Sequence, residues 1–124
     1  MSDALDQLVI QQIKDVTIAT FHSARILDAA HIESIGDELY HLVERKARRK
    51  LLLDFTDVKC LSSAMLGVLL EVHSKIGKIK GQVVLCGLRP ELYNVFKISK
   101  LEKLFPSYAD EAKALTVFGV TVPS

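Results

Sequence analysis

At 124 residues the chain has room for one domain with a real core and none for a second. Its 49% hydrophobic and 25% charged residues are those of a globular fold and argue against a disordered chain. Sixteen basic residues against fifteen acidic ones leave a net charge of +1, so no global field steers nucleic acid or an anionic membrane to the surface.

The opening segment, MSDALDQLVIQQ, has two early aspartates and no cationic start before an apolar run, so it does not read as a secretory signal. No stretch is apolar for long enough to span a bilayer, and a cytoplasmic protein is expected. Alternation marks Leu8 to Gln12 and Val16 to Phe21 as strands joined by a tight connection, which is a hairpin. Beyond SARILDAA, residues Ile32, Ile35, Leu39, Leu42 and Val43 share one face of a helix expected to end near Arg48. Gly36 costs this helix about 1 kcal/mol against alanine, but the stripe continues through it. The run ERKARRK, Glu44 to Lys50, then places cations in the last turn, where they suit the negative end of the macrodipole. It reads as a solvated helix terminus rather than a nucleic-acid patch.

KLLLDF is a short continuous apolar run, the pattern of a strand covered on both faces, and the turn-forming TDVK follows it. From Ser63 to about Ile79, apolar residues at Met65, Val68, Leu69, Val72 and Ile76, widened by Leu66 and Leu70, predict a deeply packed helix. GKIKG lacks the spaced leading glycine and the final Ser or Thr of a phosphate loop and follows this helix instead of preceding one, so no nucleotide binding is expected there. GQVVLCGL reads as a second buried strand, and Pro90 opens a helix where its missing N–H does no harm. KLEKLF leads to a short last element, and DEAKALTVF closes as a helix with Asp110 near its start. Pro90, Pro106 and Pro123 fall between or beyond elements, so no linker divides the chain. The expectation is a single α/β domain over residues 1–124, with a mixed β-sheet. In it an N-terminal hairpin is followed by parallel strands joined by α-helices, because parallel neighbours require a crossover.

Cys60 and Cys86 each lie in an apolar stretch and read as buried thiols rather than a disulfide or metal pair. His22, His31, His41 and His73 show no metal spacing, and His73 falls at the edge of a buried helical face. No nucleophile, base and orienting acid converge, so neither catalysis, cofactor nor metal is expected. Ser62 and Ser63 remain, at the junction of the buried strand and the long helix. Ser62 is placed to cap the helix and Ser63 to lie in its first turn, either as an unmodified pair or as a modification site. A phosphate on Ser63 would face free N–H groups and the positive dipole end, and would add about −1.5 to −2 charge at one surface point.

The segment DFTDVKCLSSAMLGVLL, supported by GQVVLCGLRPELYNVFKISKLEKLF, closely resembles the STAS domain family, the bacterial anti-sigma factor antagonists, over about Leu8 to Val120. Aligned on Leu66 and Gly67, Ser63 takes the place of the family's phosphorylated serine and Ser62 that of the preceding aspartate. Ala64 and Met65 replace a small hydroxyl residue and a glycine. The resemblance implies a non-catalytic switch without a cofactor: the unmodified protein binds an anti-sigma factor, typically a GHKL-type serine kinase, and so frees a sigma factor. Phosphorylation breaks the complex and a serine phosphatase restores it. The implied contact surface comprises Asp28, Asp57, Ser62, Ser63 and Met65. Another interaction role on the same fold, as a transporter accessory subunit or part of a sensory assembly, is the alternative.

Overall fold

The computed structural model describes residues 8–120, so the readings of the first seven residues and of Pro123 lie outside it. The alternating opening forms the expected hairpin. Strands β1 (Leu8–Ile13) and β2 (Val16–Phe21) pair antiparallel from Leu8 opposite Phe21 to Ile13 opposite Val16, with Lys14 left-handed at φ 55° in the turn. After the two-residue strand β3 (Arg25–Ile26), helix α1 spans Ala29–Glu44 and leads to β4 (Lys50–Asp54). A second two-residue strand, β5 (Cys60–Leu61), precedes α2 (Ser63–Lys78), β6 (Gln82–Cys86) and α3 (Pro90–Ile98). A 3-10 turn at Leu101–Lys103, strand β7 (Ser107–Tyr108) and helix α4 (Glu111–Val117) complete the order.

The main sheet runs β1-β2-β4-β6-β7, antiparallel only in the hairpin and parallel in its other pairs. Leu52 lies opposite Val84, so the two buried runs are adjacent parallel strands joined through α2, as the sequence predicts. Helices α1, α2 and α3 cover one face, where Leu51, Leu53, Val83 and Leu85 meet Leu39, Leu69, Val72 and Phe96. Helix α4 covers the other face, setting Ala114 and Leu115 over Ile18, Leu52 and Val84. Alternate residues of β4 therefore enter different cores, which is why KLLLDF shows no polar interruption.

Two helical expectations need correction. Helix α1 ends at Glu44, not near Arg48: the N–H groups of Arg45 and Lys46 both reach His41 O, and Ala47 adopts a left-handed φ of 51° that turns the chain away. The cations of ERKARRK are thus past the helix, and His41 is the basic residue of its last turn. On α2, Met65, Leu69, Val72 and Ile76 are buried, but Leu70 is 40% exposed and does not widen the packed stripe. Strands β3 and β5 escaped the sequence reading because two residues carry no period, and the short element expected after KLEKLF is β7. Cys86 is buried as expected, whereas Cys60 is half-buried in β5; both are free thiols. His73 lies at the core edge, its ring 5.3 Å from that of Phe105 in edge-on contact.

Leu69 is fully buried between α2 and the sheet. Leu69→Ala should lower stability by about 2 to 5 kcal/mol through the lost contacts and residual cavity, read as a shift in the urea midpoint. An unchanged midpoint would remove Leu69 from the core.

Candidate functional site

The serine junction is built by the way β4 ends. Asp54, only 7% exposed, accepts at Oδ1 from the backbone N–H of Thr56 at 2.9 Å and from its hydroxyl at 2.6 Å, which bends the chain off the sheet. Phe55 remains buried, stacked on Phe21 with ring centroids 4.6 Å apart. Val58 N–H then returns to Phe55 O at 2.9 Å. Beyond this turn the backbone is pinned to the segment before α1: Lys59 and Cys60 N–H groups donate to Ala24 O, β5 pairs with β3, and Ser62 N–H donates to Ile26 O at 3.0 Å. Five backbone atoms, the oxygens of Ala24 and Ile26 and the nitrogens of Lys59, Cys60 and Ser62, fix where α2 begins.

Ser62 occupies the N-cap with extended backbone, and its carbonyl accepts from Met65 N–H at 3.0 Å. Its hydroxyl corrects the sequence reading. It accepts from no first-turn N–H, and Oγ is buried without a hydrogen-bond partner. Ser63 is the first helical residue and is exposed. Met65, two residues on, is fully buried in the larger core, so it supports the helix from beneath and presents no surface to a partner. Asp28 is exposed and caps α1, accepting at Oδ2 from His31 N–H at 3.0 Å. Asp57 lies exposed in the β4–β5 turn, with His22 Nδ1 3.4 Å from Oδ2. The β3–β5 pairing sets the approach to Asp28 beside the approach to Ser63, with Leu27, 47% exposed, between Ile26 and Asp28. Among the described residues no group of three His, Cys, Asp or Glu side chains could hold a metal ion, and no helix is long and apolar enough to cross a membrane.

The STAS domain family model matches residues 7–114. BtrV of Bordetella bronchiseptica, named as an anti-sigma factor antagonist, is 30% identical over 117 residues, covering 94% of this chain and 98% of BtrV. The fold is similar to that of an anti-sigma factor antagonist domain protein from Planctomyces limnophilus, with a TM-score of 0.82 at 20% identity over 91% of this chain and 98% of the other. It is also similar to the Bacillus cell fate determinant SpoIIAA in its phosphorylated form, with a TM-score of 0.71 at 16% identity over 90% and 99% of the two chains.

Sequence reasoning missed one titrating cluster. Burial opposes ionisation of Asp54, yet hydrogen bonds from Glu111 and Thr56 outweigh it and hold its carboxyl below the usual range. The Glu111 carboxyl, bonded to Asp54, partly buried and facing that charge, is pushed up to about 7. Burial and the same two acids also push the Cys86 thiol up, so it has no thiolate character. Only the strand's terminal acid signalled this cluster; Glu111 reaches it because α4 folds across the second sheet face. Glu111 holds its proton more tightly when folded. Its contribution to stability is therefore full below its unfolded value of 4.5 and is lost as pH rises through about 7. Asp54, held low, does the reverse, and its contribution is lost as pH falls through its folded value, below 3.8. Between about pH 5 and pH 8 the wild-type denaturation midpoint should fall with pH. Glu111→Gln, whose amide can donate to Asp54 at every pH, should flatten that slope; parallel profiles would show that the pair shares no proton.

Proposed function

The chain belongs to the STAS domain family, and from that premise we propose that it is an anti-sigma factor antagonist whose binding is switched by phosphorylation of Ser63. The observation that carries this reading is the exposed hydroxyl of Ser63 on the first residue of α2, in front of first-turn N–H groups that Ser62 leaves uncapped. A phosphate there adds charge without displacing a core side chain, and the helix end tolerates it. In the unmodified state the surface around Ser63, flanked by Asp28, Asp57 and Leu27, receives an anti-sigma factor of the GHKL-type serine kinase class in the cytoplasm. The kinase modifies Ser63 and is released, and a serine phosphatase resets the protein. The chain itself performs no catalysis and carries no cofactor in this scheme.

Incubation with such a kinase and ATP, followed by mass spectrometry, should place phosphate on Ser63, and Ser63→Ala should abolish incorporation with the fold intact. Ser63→Asp should fold normally and bind the kinase at least about tenfold more weakly, because an unpaired charge sits inside the interface. Phosphate on Ser62, or on neither serine, would refute the switch. Since the Ser62 hydroxyl makes no cap bond, Ser62→Ala should change stability by less than about 0.5 kcal/mol, in contrast to the loss expected of a capping serine.

A further inference from the structure

Past the end of α1, the basic run enters a different setting. Arg48, Arg49 and Lys50 join Lys80, from the turn after α2, around an open cavity of about 810 Å³ where β4 and β6 begin, with Phe118 as part of its apolar wall. Lys50 is answered by Asp15 at 2.7 Å. Among the described residues no ion pair answers Arg48, Arg49 or Lys80. Helix-end electrostatics explains a cation within a last turn, but the effect fades beyond it, and these residues lie outside both helices.

The backbone holds the three cations together. Helix α2 closes with Lys80 N–H on Gly77 O at 3.0 Å and Gly81 N–H on Ile76 O at 2.8 Å, and Lys80 takes a left-handed φ of 60° where glycine is usual. Gln82 N–H then donates to Arg49 O at 2.7 Å, tying the two loops. A Cβ at position 81 would lie 2.5 Å from Arg49 O, so Gly81 is what permits this approach.

We infer that this cavity binds a small soluble anion bearing at least two negative phosphate charges. Arg48 and Arg49 offer guanidinium forks to phosphate oxygens, Lys80 a point charge, and Phe118 a wall for any uncharged remainder. The volume is that of a small-ligand site, and the charge is confined to a concavity, whereas a nucleic acid tracks an extended cationic stripe. The cavity lies at the opposite end of β4 from Asp54 and the serine junction, apart from the proposed switch at Ser63.

The intact chain titrated with inorganic pyrophosphate, followed by calorimetry and by amide chemical shifts, tests this. Saturable binding with a Kd at or below about 1 mM is expected, with shifts concentrated at residues 47–50 and 80–82. Arg49→Gln with Lys80→Gln, both exposed positions, should weaken it at least tenfold with an unchanged denaturation midpoint. Equal affinity for sulfate, unchanged affinity in the double variant, shifts centred on Ser63, or no saturation by 10 mM would each overturn the site, as would binding only to vesicles carrying phosphatidic acid.

Discussion

From Leu51 to Leu53 no side chain of β4 reaches water, and the strand has a parallel neighbour on each edge. Both facts demand helices. Parallel pairing requires crossovers, which α1 and α2 supply, and burial on two faces requires a cover on each side. The side under α1, α2 and α3 is the thicker core; the other is covered by α4 together with Phe118 and Val120 just after it. Once β4 is buried in this way, its carboxyl end becomes the point where the chain must emerge, and everything chemically distinctive about the serine junction is set by that exit. Asp54 stays in the interior and spends its oxygens on turning the backbone, so that Thr56 and Asp57 are already outside.

The exit also depends on a residue distant in sequence. Gly87, just after β6, has a φ of +74°, and a Cβ there would strike the Thr56 hydroxyl and lie 2.9 Å from Thr56 N. Its backbone N–H bonds Tyr108 O at 3.1 Å, linking the ends of β6 and β7. Hence the turn after β4 can lie against the turn after β6 only because position 87 lacks a side chain. The acid-bearing turn, the glycine and the edge strand form one packed arrangement that no short motif displays.

How much could be read from the sequence follows from which physical signals are local. The hairpin, the buried runs and the stripes of α1 and α2 repeat with periods of 2 or 3.6 over many residues, and each was legible. So was the position of Ser63, since a strand end followed by serine and a long apolar stripe locates a helix start. What was not legible depended on partners far along the chain. Strands β3 and β5 exist because Ala24 O and Ile26 O capture N–H groups from residues 59, 60 and 62. Periodicity put Met65 on the packed stripe of α2, where it is buried, but could not tell that Leu70 faces outward. The end of α1 is hidden for a related reason: a run of arginine and lysine has high helix propensity, but the paired N–H groups on His41 O and the left-handed Ala47 stop the helix first.

The hydroxyl of Ser62 connects these observations to the proposed switch. At an N-cap, a carboxylate or a serine oxygen ordinarily accepts from the first turn and occupies the site that an anion would otherwise take. Here the backbone bond from Ser62 to Ile26 fixes the cap residue, while its Oγ is turned inward and bonds nothing. The start of α2 is therefore held by the neighbouring ribbon rather than by its own cap, and its leading N–H groups keep their capacity. A phosphate on the adjacent Ser63 would supply the missing acceptor. In the proposed switch, modification would stabilise the helix end while adding charge to the surface around Ser63, so the loss of binding it entails would need no unfolding.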